Sequence, residues 1–334
     1  MNIEKFCRMN NLGVVENVTK LTGGLMHKMF KVETDKGVYA IKVLNQEVMS
    51  REEAYNNFIV SETIANLAKN NGIAVSSALA INNNYLNKLE DSYYMVFDFV
   101  EGKTLFDEEI TVDHCKKIGK VLAKLHSLDY SSLELDRTII KYTKLYDWES
   151  YLNNTNFEKM TYKELFTANY KKYNDLLKNA NEKFNNSNKI LTICHRDMNP
   201  KNVMWYKDNP IIIDWESASL ANPYRELLED ALCWSGFLSN NFDEKKFITV
   251  IEAYAENKNI KDVNWSDVID GNLVGRLGWL KYNLERSLGI KSNDSEEIQL
   301  AENEVVKTIK EINRYLSLSN TMNDIFIKLI ENNS

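Results

Sequence analysis

The chain has 334 residues, room for two modest domains, and its 44% hydrophobic and 27% charged content is that of a folded globular protein rather than a disordered one. Forty-eight acidic against 41 basic residues leave a formal charge of -7, which argues against broad nucleic-acid or anionic-membrane binding because both need a cationic face. Twelve Gly and three Pro are few helix breakers, so long helices are favoured over a turn-rich all-β fold.

In chain order, residues 27–34 and 38–44 alternate apolar and polar side chains around Asp35-Lys36-Gly37, which predicts two strands and a tight turn. Residues 51–70 switch to a helical pattern that Gly72 ends as a C-cap. Two further strands are expected over 78–87 and 92–100, with a turn at Asn82-Asn83-Asn84. After Glu101-Gly102-Lys103 the character changes. Helices are expected over 113–128, 144–155 and 159–185, then a short β interlude at 190–194, 203–206 and 210–214, and helices throughout 224–331. The expected boundary therefore lies near Gly102, with units 1–101 and 102–334.

No stretch reaches the roughly 18 apolar residues of a membrane span, and the first residues carry no apolar signal core. Cys7, Cys115, Cys194 and Cys233 are scattered without zinc spacing, so free thiols in a reducing cytoplasm are the expectation.

The chemistry concentrates in Cys194-His195-Arg196-Asp197-Met198-Asn199-Pro200-Lys201-Asn202 and in Ile211-Ile212-Ile213-Asp214. An apolar strand ends in a loop holding an Asp and, five residues on, an Asn; a second apolar strand delivers another Asp to the same edge. Two carboxylates and a carboxamide at strand ends suit a hard cation such as Mg²⁺. A carboxylate left off the metal can take a proton from a hydroxyl nucleophile. Upstream, Lys42 sits inside the strand Tyr39-Ala40-Ile41-Lys42-Val43, either solvated on the sheet surface or aimed into a site. Its expected acidic partner is Glu62 on the following helix, since Glu52 and Glu53 in the first turn complement the helix dipole. Gly23-Gly24 between the first two strands lets backbone N–H groups approach an anion.

Taken together, TGGLMHKMFKV, AIKV, the helix with Glu62, YYMVFDFVEGKTL, VLAKLHSL, HRDMNPKNVMW and IIIDWESA resemble the aminoglycoside phosphotransferase and choline kinase superfamily over nearly the whole chain. That resemblance implies an α+β, two-lobed, protein-kinase-like fold with a small N-terminal β-rich lobe, a larger helical C-terminal lobe, and ATP (or GTP) with Mg²⁺ between them. It makes Asp197 the catalytic base, His195 a loop-orienting residue, and Asn202 and Asp214 the metal ligands. Lys42, Glu62, Gly23 and Gly24 would bind the nucleotide, with backbone groups of Asp98 and Val100 meeting the base.

Departures narrow the reading. Asn199 stands where Ser/Thr protein kinases keep a Lys, Trp215-Glu216 follow Asp214 in place of Phe-Gly, and the run through Pro223 into a helix leaves no room for an activation loop. A small-molecule acceptor is therefore expected. Glu216, Glu229 and Asp230 either offer charge to an amine-bearing acceptor or are surface charges. Trp279 and Tyr282, with Arg286 on one helical face, either embrace an ammonium or fill core. Glu226, twelve residues past Asp214, either braces the catalytic loop or is a solvated helix glutamate, and His126 reads as a structural histidine behind the site. The expected function is phosphoryl transfer to a hydroxyl of a small, amine-bearing molecule. The alternatives are a choline, amino-alcohol or sugar kinase and, from another class, a nucleotide-binding pseudokinase.

Overall fold

The computed structural model describes residues 2–21 and 27–332, so Gly23 and Gly24 lie outside the described residues. A short helix, α1 (Ile3–Met9), precedes the strands β1 (Val15–Leu21), β2 (Lys28–Thr34) and β3 (Gly37–Val43), which pair antiparallel. Period-two alternation puts Phe30, Val32, Ile41 and Val43 on one buried face, where they pack with Phe6 and Tyr94. Lys42 has the opposite phase. It stands across from Met29 on one side and Met95 on the other.

A short turn of helix, α2 (Gln46–Met49), leads to α3 (Ala54–Asn70), which buries Phe58, Ser61, Glu62, Ile64, Ala65 and Ala68. Gly72, at φ +75°, closes this helix in the left-handed conformation that a residue without Cβ enters at little cost. The sheet is completed by β4 (Asn87–Leu89) and β5 (Ser92–Asp98) in the order β1-β2-β3-β5-β4. Residues 78–87 do not form the expected strand. The first donors of the segment go elsewhere instead, Ala78 N to the Glu62 carboxylate at 2.7 Å and Leu79 N to Val96 O at 2.7 Å, and just ahead of it Ser76 N bonds Ile212 O at 2.9 Å. The Asn82-Asn83 turn is present, with both residues at positive φ.

The connection after β5 is pinned by the Lys103 and Trp205 backbones, which exchange hydrogen bonds of 3.2 and 2.8 Å. Then come α4 (Val112–Leu125), α5 (Lys163–Thr167) and α6 (Tyr170–Ser187). The helix expected at 144–155 reduces to a 3-10 turn at Glu149–Asn153. Before it, extended backbone is clamped along α6 by asparagines: Asn185 bonds both the N–H and the C=O of Tyr142, while Asn181 and Asn188 donate to Lys144 O and Ile140 O.

Two small hairpins follow from β6 (Thr192–Cys194), β7 (Val203–Tyr206), β8 (Asn209–Ile212) and β9 (Ser219–Ala221), with β6 paired to β9 and β7 to β8. The remainder is helical: α7 (Pro223–Trp234), α8 (Glu244–Ala255), α9 (Trp265–Gly271), α10 (Leu273–Ser287) and α11 (Ser295–Asn332). One large core spans these helices and reaches back to Ile64, Ala65 and Ala68 of α3. The architecture is α+β, an antiparallel sheet followed by a larger helical part. No described helix is long and apolar enough to cross a membrane, and all four cysteines are free thiols.

Candidate active site

The fully buried strand β6 delivers the loop His195–Asn199 to one edge, and the β7–β8 hairpin returns Asp214 beside it. Two residues are held in left-handed backbone, Arg196 at φ +68° and Asp214 at φ +61°. For residues with a Cβ this costs on the order of 1–3 kcal/mol, so the surroundings must enforce it. They do. Glu226 accepts a hydrogen bond from the Arg196 N–H, Trp234 Nε1 donates to Met198 O at 2.8 Å, and His195 Nε2 donates to Ile213 O at 3.1 Å. Burial holds His195 below the usual histidine range, so its neutral ring also accepts the Asp197 N–H through Nδ1 at 3.3 Å. This geometry gives His195 its place as the residue that ties the loop to the Asp214 strand end.

The Asp197 carboxylate is clasped by two amides. Asn202 Nδ2 donates to Asp197 Oδ2 at 2.7 Å and to Asp197 O at 2.9 Å, and Asn199 Nδ2 donates to Oδ1. Burial pushes the Asp197 carboxyl above its ordinary range, which Lys201 and His195 only partly offset. Because the Asn202 nitrogen is committed to Asp197, its oxygen is the atom left to offer a cation.

Lys42 reaches across from β3. Its ammonium lies 2.9 Å from Asp214 Oδ1 and 2.7 Å from Glu216 Oε2. Burial would depress the lysine, but the two carboxylates outweigh it and hold it above its usual value. Glu216 also faces His27 Nε2 at 3.5 Å, and the Asn45 N–H donated to His27 Nδ1 fixes that ring's orientation. Burial acts to raise the Glu216 carboxyl, yet His27 and Lys42 together bring it down to about 2.

The expected Lys42–Glu62 ion pair is not formed. Glu62 is 4% exposed and accepts the Ala78 N–H at 2.7 Å; burial raises its carboxyl to about 7 despite that bond and the nearby lysine. Glu216, read from the sequence only as an acceptor-side or surface charge, occupies the position expected of Glu62; its spacing two residues past Asp214 is the one signal that could have found it. Asp98 ends β5. Phe99 N bonds Val38 O at 3.1 Å, and in an antiparallel ladder this alternation turns the Asp98 backbone groups away from β3; Val100 lies two residues past the strand end.

The other acceptor candidates are largely committed. Glu229 is clamped in two-pronged fashion by Arg276 and bonded by Asn272. Asp230 is 4% exposed with Oδ2 sealed from solvent and unpaired, and burial beside Glu226, Glu229 and Asp197 raises its carboxyl well above the ordinary range. Its sealed oxygen faces protein, not an open cleft. Trp279 and Tyr282 stack at 5.5 Å, but the Tyr282 ring already carries the Arg286 guanidinium at 5.4 Å and Lys291 at 5.9 Å. Trp279 remains half exposed, donating toward Glu304 at 3.3 Å.

One crevice thus gathers Asp197, Asn202, Asp214, Glu216 and Lys42: oxygen donors for a hard cation, an ammonium for phosphate, and a carboxylate with a raised proton affinity. Solved structures of the same kinase-like fold include a spectinomycin phosphotransferase in complex with ADP and spectinomycin, at 15% identity, covering 93% of this chain and 96% of that one with a TM-score of 0.67. The Plasmodium vivax ethanolamine kinase is also similar, at 15% identity over 89% of this chain and 83% of that one, TM-score 0.58. So is the choline kinase of Cryptosporidium parvum, at 15% identity over 95% and 98%, TM-score 0.56. No curated protein sequence matches the chain at a significant level. The family model of the phosphotransferase enzyme family matches residues 17–263, and the chain belongs to that family.

Proposed function

We propose that the protein moves the γ-phosphoryl group of ATP onto a hydroxyl of a small, amine-bearing molecule. The observation that carries this reading is the meeting of Lys42 from the sheet with Asp214, Glu216, Asn202 and Asp197 from the loops of the helical part. Asp197 stands as the base: the acceptor oxygen bonds to the γ-phosphorus, the bond from that phosphorus to the ADP oxygen breaks, and the hydroxyl proton passes to Asp197. Its raised proton affinity favours that transfer. Asn202 and Asn199 hold the carboxylate in place, so little reorientation is needed as the proton arrives.

The donor set fits Mg²⁺. Asp214 and Glu216 are carboxylates, and Asn202 presents its oxygen because its nitrogen is spent on Asp197. When bound, the ion neutralises charge on the phosphate oxygens during transfer. Lys42 supplies the fixed positive charge from the protein side, and backbone groups of Asp98 and Val100, at and just past the end of β5, would meet the base.

The acids near Asp197 lend the acceptor no free charge, because Arg276 holds Glu229, Asp230 is sealed, and Glu226 is bonded to His126 and the Arg196 N–H. An amine-bearing acceptor is supported instead by similar folds named for spectinomycin, ethanolamine and choline. A panel of amino alcohols, aminocyclitols and neutral sugars, scored by acceptor-dependent ADP release with magnesium, tests the class. ADP release is expected with nitrogen-bearing acceptors; release with neutral sugars alone overturns the amine reading.

A further inference from the structure

His126 caps the C-terminal end of α4, and its ring is buried among three elements. Nε2 lies 2.6 Å from Glu226 Oε2 on α7, and Nδ1 lies 3.0 Å from the Tyr254 hydroxyl on α8. A carboxylate only accepts, so the hydrogen sits on Nε2; in the neutral ring Nδ1 then accepts from Tyr254. The other Glu226 oxygen, Oε1, takes the Arg196 N–H, the amide next to Asp197. The outer end is anchored too, because the His126 carbonyl accepts from Thr192 Oγ1 and Lys258 Nζ, each at 3.2 Å. Cys194 Sγ sits 3.7 Å from Nε2, so His126, Cys194 and Glu226 have the proximity of a metal trio. The carboxylate and imidazole atoms are already paired with protein donors and acceptors, however, and burial keeps Cys194 a thiol. The cluster is a hydrogen-bonded strut.

We infer that His126 is a positioning residue for phosphoryl transfer: by fixing Glu226 it holds the left-handed Arg196 amide, and through it the stance of the Asp197 carboxylate. Glu226 alone has two oxygens and free torsions about its side chain. The imidazole selects the rotamer that points Oε1 at the loop, and Tyr254 selects the imidazole's orientation. Neither Lys42 nor Asp214 touches this strut, so its loss slows transfer without weakening nucleotide binding.

The inference rests on Asp197 being the base, and the test separates the two. His126→Phe, which fills the volume but donates nothing to Glu226, is expected to lower kcat by roughly 10–100-fold, the cost of losing a partner that orients a functional group, with KM for ATP unchanged. His126→Gln, whose amide N–H can replace Nε2–H, is expected to restore most of that loss. Hydrogen exchange on the protein without substrates should show the 195–199 amides exchanging faster in His126→Phe and at the wild-type rate in His126→Gln. Equal impairment of the two variants, or unchanged kcat and exchange in folded His126→Phe, overturns the inference. Should His126→Phe fail to fold, Tyr254→Phe carries the test through a smaller shift in the same direction, and no shift in it overturns the inference equally. A wild type that transfers no phosphoryl group to any acceptor sinks the kinase reading, while the exchange measurement still decides whether the strut exists.

Discussion

Lys42 and Glu62 show how position in the sequence and partnership in space come apart. Both were visible as charged residues in a strand and a helix, but the lysine's partner lies 172 to 174 residues away at Asp214 and Glu216, and no local pattern encodes that distance. Asp197 and Asn202 were legible as a unit because one loop holds them and short spacing limits where their side chains can go, whereas Asn199, read only as a departure from protein kinases, gave no sign of its bond to Asp197. Glu62 is left as a buried acid whose folded value, about 7, lies above its ordinary 4.5. Its sign follows directly: the folded state keeps a proton that the unfolded chain releases, so this contribution is intact below about pH 4.5 and is lost as pH rises toward 7. Relative to Glu62→Gln, the wild type should lose about 3 kcal/mol of stability between pH 4.5 and pH 7.5. Urea midpoints of both proteins across that range check this, and parallel curves would count against a buried, protonated Glu62.

At the scale of elements, the regular alternation of β2 and β3 and the helical faces of α3 and α4 were readable because one periodic face meets one core. The strand expected at 78–87 and the helix expected at 144–155 were not, since residues far along the chain hold backbone groups at or just before the start of each: Glu62 takes the Ala78 N–H, and on α6 Asn185 clamps Tyr142 while Asn181 bonds Lys144 O. Helix packing gives a sharper test. Gly119 of α4 lies against α8 so closely that an added Cβ would sit 2.3 Å from Val250 O and 2.9 Å from Ala253 Cβ. Gly119→Ala must push the helices apart and should cost about 1–3 kcal/mol. Gly275 of α10 has nothing within 4 Å, so Gly275→Ala should instead stabilise by about 0.5–1 kcal/mol through lost backbone freedom in the unfolded chain. Thermal unfolding of the two variants reads the difference. A stable Gly119→Ala would mean that α4 and α8 sit further apart than described.

Over the whole molecule, the sheet and the helical part are joined by a few specific links. The Lys42 ion pairs form one; the Ser76–Ile212 hydrogen bond and the Lys103–Trp205 backbone pair form two others. The order of motifs along the chain predicted an antiparallel sheet followed by a larger helical part. It could not predict which acids near Asp197 are already spent, because Arg276 claims Glu229 from another helix and burial closes over Asp230. The measurement that bears most directly on the account follows a labelled γ-phosphoryl group from magnesium ATP to an acceptor hydroxyl, for wild type and Asp197→Asn in parallel, with ATP affinity determined by calorimetry. The account predicts labelled acceptor and matching ADP from the wild type, and a turnover about 10²–10⁴-fold lower in the variant at retained ATP affinity. Asp197→Asn working at the wild-type rate, or a wild type that binds the nucleotide and transfers nothing, would contradict it.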